Sequence, residues 1–439
     1  MDQTQRVYQI FSPDPLTAAQ LSLYVQIDDA RGDENVVQTL ARTIRLSANP
    51  VSQVLAGHKG SGKSTELMRL AKELEKGDSN SRYFVVTCRA DDDIDRNDVD
   101  FPEVLMAIVR QLAIQLRERA DIHLKPGYFS ERLERLKTLL ASDVSFDGIE
   151  LDAGILTVSS TIKNSPDARA EIRKLLEPDT TNWLTAANNV IDEAMVQLPK
   201  KGYAGLVVLF EGLDKMIDRP VEHAGCSTTE QLFVHRAAQL TAFRCHTVYT
   251  LPLSLAYSHH EQTIKSSFGN HVPVLPMVRI AARPPKQSPY IPGIESLEKI
   301  VQTRCNAANI AVDQLFKDTK LMRGFIQLSG GQPRQLMELV RESILTSGLP
   351  IDNKALERAR HEGQREYARM LRKEHWPILN EVRKTGAYIR TAETEALFRE
   401  LIDSRALLQY RNADEWYGLN PMVAGLKAPA QPKKKSKKK

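Results

Sequence analysis

One glycine-rich segment constrains the fold of this chain more than any other part of its sequence. It matches the pattern G-x-x-x-x-G-K-[ST] at every position, with the residues Gly57, His58, Lys59, Gly60, Ser61, Gly62, Lys63 and Ser64. The segment 51–56 before it has a short buried-strand pattern, and residues 64–76 after it have leucines at helical spacing. This strand–loop–helix order is the context in which the motif binds phosphate groups.

The chemistry of phosphate binding explains the spacing of the motif. Glycines allow backbone N–H groups to turn inward towards phosphate oxygens, and the following helix offers its positive N-terminal end. We expect Lys63 to reach the β- and γ-phosphates of a nucleotide and Ser64 to ligate Mg²⁺. Thr65 completes the predicted nucleotide-binding set, although its position is also typical of a residue that starts a helix. The alternative, a chance glycine-rich turn, would not require this context.

A second segment carries acidic residues at the end of the most apolar run, 206–210. In phosphate-binding-loop enzymes a strand of this kind lies beside the first one, and its terminal carboxylate holds magnesium. Glu211 is therefore a candidate metal ligand and catalytic residue, and Asp214 a candidate to orient or deprotonate the attacking water. In the alternative interpretation, Asp214 or Lys215 only caps the next turn.

The order of predicted elements indicates an α/β protein. Strands at 83–88, 206–210 and 247–251 alternate with helices at 101–116, 182–198 and 229–243, which favours a parallel sheet covered by helices. The predicted fold is a P-loop NTPase three-layer sandwich with a parallel sheet, followed by a helical lid and a small winged-helix-like domain.

The predicted domains follow one another along the chain. Residues 1–50 form an N-terminal lead-in with a helix near 36–46 that Asp33 or Asn35 caps, and residues 51–280 form the core. Residues 120–180 are interpreted as an insertion in that core, with a hairpin near 149–158. The lid spans 281–350, with helices at 294–308, 312–327 and 334–346. The winged-helix-like domain spans 351–426, and a disordered basic tail spans 427–439.

Two short segments, together with the glycine-rich loop, resemble segments of the AAA+/STAND class of P-loop ATPases. Residues 210–215, Phe-Glu-Gly-Leu-Asp-Lys, look like the acidic segment of NACHT- and KAP-type members, and residues 329–334, Ser-Gly-Gly-Gln-Pro-Arg, resemble the sensor-2 segment of initiator-type ATPases. The resemblance spans roughly residues 30–346 and implies that Arg334 contacts the γ-phosphate from the lid. Two departures stand out: Glu211 replaces the usual Asp, and only Thr250 or Ser254 could serve as sensor 1.

The resemblance also implies that a neighbouring subunit could supply an arginine to the site, where it would stabilise charge on the transferred phosphoryl group. The candidates are Arg169, Arg173, Arg236, Arg244 and Arg304. Each of them has the alternative role of a solvated helix arginine.

The C-terminal region has the order of a winged helix: helices at 374–385 and 392–404, then a hairpin at 406–419. Such a unit would place a helix in the major groove of DNA. However, helix 392–404 has an excess of carboxylates, which phosphates repel: Glu393, Glu395, Glu400 and Asp403 against Arg399. A protein-contacting or lid-regulating role is favoured, with DNA as the alternative partner.

Charge and composition restrict the class of protein further. The formal charge is +5, and the last seven residues hold six lysines, so the rest carries 5 − 6 = −1. The body is therefore nearly neutral, and a general basic nucleic-acid surface is not expected. The sequence contains no apolar run of bilayer-spanning length, no signal-peptide pattern and no metal-ligand spacing among its four cysteines. We therefore expect a soluble cytoplasmic protein without a membrane partner.

These observations leave three hypotheses. The first is a slowly hydrolysing ATP- and Mg²⁺-dependent switch that a protein partner reads, with homo-oligomerisation expected of its class. The second is a DNA-associated ATPase of the initiator or transposition-helper kind. The third is a nucleotide-binding scaffold without useful hydrolysis. GTP remains an alternative nucleotide, although the sequence has no N/T-K-x-D segment that would read guanine.

Overall fold

A computed structural model of the chain describes residues 2–32, 34–124, 163–222 and 224–428. Contacts divide the chain into two compact units. The first, which we call the sheet unit, comprises Asn35–Gly57 and Lys63–Leu275. The second, which we call the helical unit, comprises Met1–Glu34, His58–Gly62 and Pro276–Lys439.

The sheet unit is built on five parallel strands: β1 (Ser52–Gly57), β2 (Tyr83–Arg89), β3 (Gly205–Glu211), β4 (His246–Pro252) and β5 (Val274–Leu275). Their order in the sheet is β2-β3-β4-β1-β5. The expectation that the acidic strand lies beside the strand before the loop is wrong, because β4 pairs with both and separates β3 from β1. The three interior strands, β3, β4 and β1, are buried almost throughout, as their apolar sequences predict. The register places Arg89 opposite Glu211, so the carboxyl ends of β2 and β3 meet.

Alternate residues of the strands face two layers of helices. On one face, Val85 and Val207 belong to the apolar cluster that includes helices Val36–Leu46 and Lys63–Leu74. On the other face, the Cys88 thiol contacts the carbonyl oxygen of Ala107 in helix Phe101–Ala120. The helix–sheet–helix arrangement confirms the predicted three-layer α/β fold.

Local signals explain where the helices of the sheet unit begin. The Asn35 side chain accepts a hydrogen bond from the N–H of Gln38 at 3.0 Å, so Asn35 caps its helix as predicted. Asp33, the other predicted cap, lies outside the described residues. The longer helices on the far face of the sheet are Phe101–Ala120 and Thr180–Gln197, and helix Pro166–Leu176 precedes the latter.

The prediction of one continuous helix over 229–243 is wrong. The segment consists of a short helix Thr228–Glu230, a π-helical turn Gln231–His235 and a short helix Ala237–Leu240. The N–H of Arg236 donates to the carbonyl oxygen of Gln231, five residues back, at 2.9 Å. This wider turn interrupts the regular helical hydrogen bonding.

The helical unit contains the predicted lid helices and the C-terminal helices. Its principal helices are Gln3–Ile10, Ile291–Ala307, Thr319–Leu328, Pro333–Ser347, Asn353–Met370, Trp376–Thr385 and Glu395–Asp403. The unit also contains the short α-helices Val312–Leu315 and Pro421–Ala424 and the 3₁₀ helices Ala18–Leu23, Asp28–Ala30 and Lys373–His375.

The predicted helix 312–327 is also interrupted. Phe316 forms a parallel bridge with Ile351, which takes it out of the helix. Asp318 then caps a new helix by accepting a hydrogen bond from the N–H of Leu321 at 2.7 Å.

One apolar core holds most of the helical unit together. It joins Val7 and Phe11 of the N-terminal segment to Leu297, Phe325 and other residues of the lid helices. The N-terminal segment therefore packs with the lid helices, whereas helix Val36–Leu46 packs on the sheet. The contacts do not separate 281–350 from 351–426, so the domain boundaries drawn from the sequence stay predictions.

The C-terminal hairpin forms as the sequence predicts. β6 (Leu407–Arg411) pairs antiparallel with β7 (Glu415–Leu419). Tyr410 stacks on Trp416 at a ring-centroid distance of 4.5 Å, and Tyr417 packs edge-on against Phe398 at 5.2 Å. These aromatic rings form the core of the hairpin, whereas the name winged helix for this region stays a prediction.

Two predicted segments cannot be compared with the structure. The hairpin near 149–158 and most of the 427–439 tail lie outside the described residues. Among the helices that are described, none combines the length and the apolar character needed to cross a membrane.

Candidate phosphate-binding site

The glycine-rich loop has the strand–loop–helix setting that its motif requires. It follows β1 directly, and the next helix begins at Lys63. Gly60 and Gly62 have φ values of +85° and +107°, in the region that favours glycine. The N–H of Ser61 donates to the carbonyl oxygen of His58 at 3.1 Å, which closes a tight turn.

Lys63 and Asp214 form a buried ion pair in the sheet unit. The Nζ of Lys63 lies 2.9 Å from Oδ2 of Asp214, and their side chains are only 5% and 4% exposed. The same Nζ donates to the carbonyl oxygen of Gly57 at 2.5 Å. Burial alone would raise the pKa of Asp214, but the Lys63 ammonium outweighs it and the pKa is lowered. Sequence reasoning identified both residues without pairing them.

Glu211 and Ser64, the two predicted metal ligands, also come together. Ser64 hydrogen-bonds to the Glu211 carboxylate, and Nε of Arg89 lies 2.7 Å from Oε1 of Glu211. Burial raises the pKa of Glu211, although Arg89 and Ser64 oppose that shift. A hydroxyl and a carboxylate are the oxygen donors that Mg²⁺ prefers, so this pair fits the predicted metal.

Arg89 is a residue that sequence reasoning missed. It ends β2 beside Glu211 at the end of β3. The signal was available in principle, since the carboxyl ends of neighbouring parallel strands lie at one edge of a sheet.

The structure distinguishes the two sensor-1 candidates. The Thr250 hydroxyl accepts a hydrogen bond from the N–H of Asp214 at 3.4 Å and is buried. Ser254 lies buried in the short helix Leu253–Ala256 beyond the end of β4. Thr65 occupies the first turn of helix Lys63–Leu74 and is half-buried.

Within the helical unit, three residues far away in sequence bind the loop residues 58–62. Nε2 of Gln332 donates to the carbonyl oxygen of Lys59 at 2.5 Å. Nη2 of Arg31 donates to the carbonyl oxygen of Ser61 at 2.6 Å. The N–H of Gln409 donates to Nε2 of His58 at 2.8 Å. Gln332 lies in the segment quoted for its resemblance, but nothing in the sequence singled out Arg31 or Gln409.

Arg334 lies against the loop in the same unit. It is the second residue of helix Pro333–Ser347, and its Nε donates to the carbonyl oxygen of Pro13 at 3.2 Å. A Cβ on Gly60 would lie 3.1 Å from Cβ of Arg334 and 2.5 Å from Nε2 of Gln332. A side chain at position 60 would therefore strain the backbone and displace the Gln332 side chain from the loop. The contact of Arg334 with a γ-phosphate stays a prediction.

Four of the arginines proposed to act on a neighbouring subunit make ion pairs within the chain. The pairs are Arg169–Asp95 at 2.9 Å, Arg173–Asp98 at 2.8 Å, Arg236–Glu177 at 2.7 Å and Arg244–Asp192 at 2.5 Å. Arg304 differs, because it is 8% exposed and the structure records no ion pair for it among the described residues. Burial lowers the pKa of Arg304 to about 10.

The described residues contain no group of three or more His, Cys, Asp or Glu side chains placed to hold a metal ion. The described cysteines Cys88, Cys226, Cys245 and Cys305 are all free thiols. The assignment of Ser64 and Glu211 as metal ligands stays a prediction.

The fold and the loop together define an α/β P-loop protein, in which a parallel sheet presents a phosphate-binding motif at the carboxyl end of an interior strand. No known family model matches the sequence, and neither does any curated protein.

Several solved structures are similar to this chain in arrangement. A Walker-type ATPase of Pyrococcus abyssi is 14% identical with a TM-score of 0.44, covering 94% of this chain and 98% of its own. The ORC2 protein of Aeropyrum pernix, solved as ADPNP–ADP complexes, is 12% identical with a TM-score of 0.40, covering 96% of each chain. The ORC1 protein of Aeropyrum pernix, solved in complex with DNA, is 12% identical with a TM-score of 0.38, covering 94% of this chain and 93% of its own.

Proposed function

We propose that this protein binds ATP with Mg²⁺ and hydrolyses it slowly, as an AAA+-type switch whose nucleotide state a protein partner reads. One observation carries the proposal: the glycine-rich loop lies between β1 and its helix while Lys63 contacts Asp214 and Ser64 contacts Glu211. The ammonium of Lys63 is therefore close to one candidate catalytic carboxylate, and the hydroxyl of Ser64 is close to the other.

Each residue has a distinct role in the proposed reaction. Backbone N–H groups of Gly57–Ser64 bind phosphate oxygens, and Lys63 contacts the β- and γ-phosphates. Ser64 and Glu211 hold Mg²⁺, which neutralises charge on the phosphate oxygens when bound. Asp214 orients the attacking water, and Arg334 contacts the γ-phosphate.

The electrostatics of the two carboxylates support slow turnover. Lys63 lowers the pKa of Asp214, so this carboxylate is a weak proton acceptor near neutral pH. Arg89 makes an ion pair with Glu211 at 2.7 Å and competes with any other cation for that carboxylate. Both carboxylates are thus held by cations of the chain itself.

Three variants test the proposal through ATP binding and phosphate release. Lys63→Ala should weaken ATP–Mg²⁺ binding by at least about tenfold, because it removes the cation of the motif. Glu211→Gln should retain ATP binding and lose most phosphate release. Lys72→Ala, an exposed lysine on the same helix, is the matched control and should behave as the wild type. Equal rates for wild type and Lys63→Ala would overturn the enzyme proposal.

The same measurements separate the alternatives. Tight ATP binding without phosphate release above the Lys63→Ala background would favour a nucleotide-binding scaffold. Parallel titrations with GTP establish which base the protein prefers.

A DNA-associated ATPase is the second candidate. The order of helix Trp376–Thr385, helix Glu395–Asp403 and the β6–β7 hairpin supports it, as does the lysine-rich tail in the sequence. This candidate predicts that duplex DNA stimulates phosphate release, with a salt-sensitive affinity that survives removal of residues 427–439. Loss of all DNA binding with the tail would leave only a non-specific electrostatic contact.

A further inference from the structure

The edge of β6 that does not pair with β7 contacts the glycine-rich loop. Gln409 pairs with Tyr417 of β7 in the hairpin register, but its backbone groups bond elsewhere. Its N–H donates to Nε2 of His58 at 2.8 Å, and its carbonyl oxygen accepts from the N–H of Met277 at 3.1 Å. Both backbone groups of Gln409 therefore face away from β7, at the edge that a hairpin leaves unpaired.

This edge is sealed from water. His58 is 2% exposed and Gln409 is 1% exposed. Met277 packs with Leu408, Tyr410 and Trp416 in a small apolar cluster next to the bond. A buried backbone N–H needs an acceptor, and at Gln409 the imidazole of a loop residue is that acceptor.

A second route joins β6 to the loop in the same unit. The Tyr410 hydroxyl donates to the carbonyl oxygen of Gly330 at 2.7 Å. Two residues later, Gln332 donates to the carbonyl oxygen of Lys59. Adjacent residues of β6 thus contact the loop directly and through the segment before helix Pro333–Ser347.

We propose that His58 is a positioning residue that couples the phosphate-binding loop to the C-terminal hairpin. The inference rests on the proposed nucleotide binding. Phosphate oxygens that bind the N–H groups of residues 58–62 order the backbone from which the His58 side chain projects. Through the His58–Gln409 hydrogen bond, an ordered loop restricts the motion of β6. When β6 makes this bond, it in turn stabilises the loop conformation that binds nucleotide. Because coupling is reciprocal, each side must favour the other by the same factor.

The chemistry of the bond defines the variants. Nε2 accepts from a backbone N–H, so the imidazole is neutral with its proton on Nδ1. Glutamine places a carbonyl oxygen near the position of Nε2 and keeps an acceptor, whereas leucine fills similar space without one. His58→Leu should therefore uncouple the loop from the hairpin, and His58→Gln should preserve the coupling.

The test combines ATP–Mg²⁺ titration with hydrogen exchange of the peptide spanning 407–419, in the full-length chain. In the wild type, ATP should slow exchange of this peptide. In His58→Leu, we expect ATP binding to weaken about tenfold and hairpin exchange at saturating ATP to equal that without ATP. His58→Gln should bind ATP within about twofold of the wild type and regain the ATP response. His361→Leu, on the exposed face of helix Asn353–Met370, controls for the substitution itself.

Failure of the coupling and failure of the proposed function give different results. If the wild type does not bind ATP, the proposed function falls and the coupling falls with it. If the wild type binds ATP but the hairpin does not respond, only the coupling is overturned. The same holds if His58→Leu keeps the full response, or if His58→Gln loses it as His58→Leu does. Lys63→Ala should show no response of hairpin exchange to ATP.

Discussion

The ion pair between Lys63 and Asp214 is the most consequential contact at the scale of single residues. Both side chains are nearly inaccessible and their charged atoms are 2.9 Å apart. Removing one partner leaves the other charge buried, which typically costs about 3–5 kcal/mol. The contact thus contributes to the fold of the sheet unit as well as to the proposed chemistry.

Asp214→Asn should lower the free energy of unfolding by about 3 kcal/mol, because Lys63 loses its counter-charge. Adding Lys63→Met to the variant should restore part of that stability, and urea denaturation of the full double-mutant cycle measures both effects. Asp192→Asn, which breaks the exposed pair with Arg244, should cost less than about 1 kcal/mol. A similar small loss for Asp214→Asn would show that the buried pair adds little.

Replacing Arg304 should stabilise the protein, in contrast to replacing Asp214. Its guanidinium is buried in the helical unit without an ion pair among the described residues, and burial lowers its pKa to about 10. The charged guanidinium of Arg304 therefore destabilises the folded chain throughout the neutral range. This cost decreases only when the pH rises above about 10, where the buried guanidinium begins to lose its proton. Arg304→Met should raise the free energy of unfolding by about 1–2 kcal/mol in urea at pH 7.

The control for Arg304 is Arg323→Met, which removes an exposed arginine paired with Glu298 at 2.5 Å. It should change stability by less than about 1 kcal/mol. A clear loss of stability in Arg304→Met would show that the buried guanidinium stabilises the folded chain, contrary to this expectation.

At the scale of elements, the turn before helix Pro333–Ser347 depends on glycine for two separate reasons. Gly331 has a φ of +80°, and a Cβ there would lie 1.8 Å from the carbonyl oxygen of Val278. Gly348, after the same helix, has a φ of +72° with nothing within 4 Å of a Cβ. The two positions separate backbone strain from steric clash.

Gly348→Ala should cost about 1–3 kcal/mol of unfolding free energy, because a φ of +72° with a ψ of −162° lies in a region that essentially only glycine adopts. Gly331→Ala should cost at least about 3 kcal/mol, because strain and a clash with backbone add together. Thermal or urea unfolding of both variants measures the difference. Equal losses would contradict the close approach of the turn to Val278.

At the scale of the whole molecule, a network of charges connects distant segments of the sheet unit. Asp98 pairs with Arg169, Arg173 and Arg219, and Arg173 also pairs with Glu103 at 3.0 Å. Burial raises the pKa of Glu103 to about 7, although Arg173 opposes the shift. Between pH 4.5 and about 7, Glu103 is therefore protonated in the folded chain. In the unfolded chain, where its pKa has the ordinary value of 4.5, it is ionised over the same range.

The stability that Glu103 contributes should fall as the pH rises from 4.5 to about 7. Glu103→Gln should match the wild type at pH 5 and exceed it at pH 8 by up to about 3 kcal/mol. Glu171→Gln, which alters the exposed pair with Lys174, should show no such pH dependence. If Glu103→Gln is the less stable protein at pH 8, pairing with Arg173 outweighs the cost of burial.

The sequence by itself determined the strand–loop–helix around Gly57–Ser64, four of the five strands of the parallel sheet, and the hairpin at 407–419, but it missed the two-residue strand β5. Each of these depends on local patterns, since apolar runs, glycine positions and turn residues act over a few neighbours. Residue types also sufficed to identify Lys63, Ser64, Glu211 and Asp214 as candidates. The same local signals failed at 229–243 and 312–327, where a π-helical turn and a bridge to Ile351 interrupt the helices.

Only the tertiary structure decided which of these residues meet. Arg89 reaches Glu211 through strand register, and Arg31 and Gln409 reach the loop from positions 30 and 351 residues away in the sequence. Contacts over such separations leave no periodic pattern, because they result from packing rather than from neighbouring residues. For the same reason, the sequence could not show that His58 supplies the acceptor for a buried strand edge.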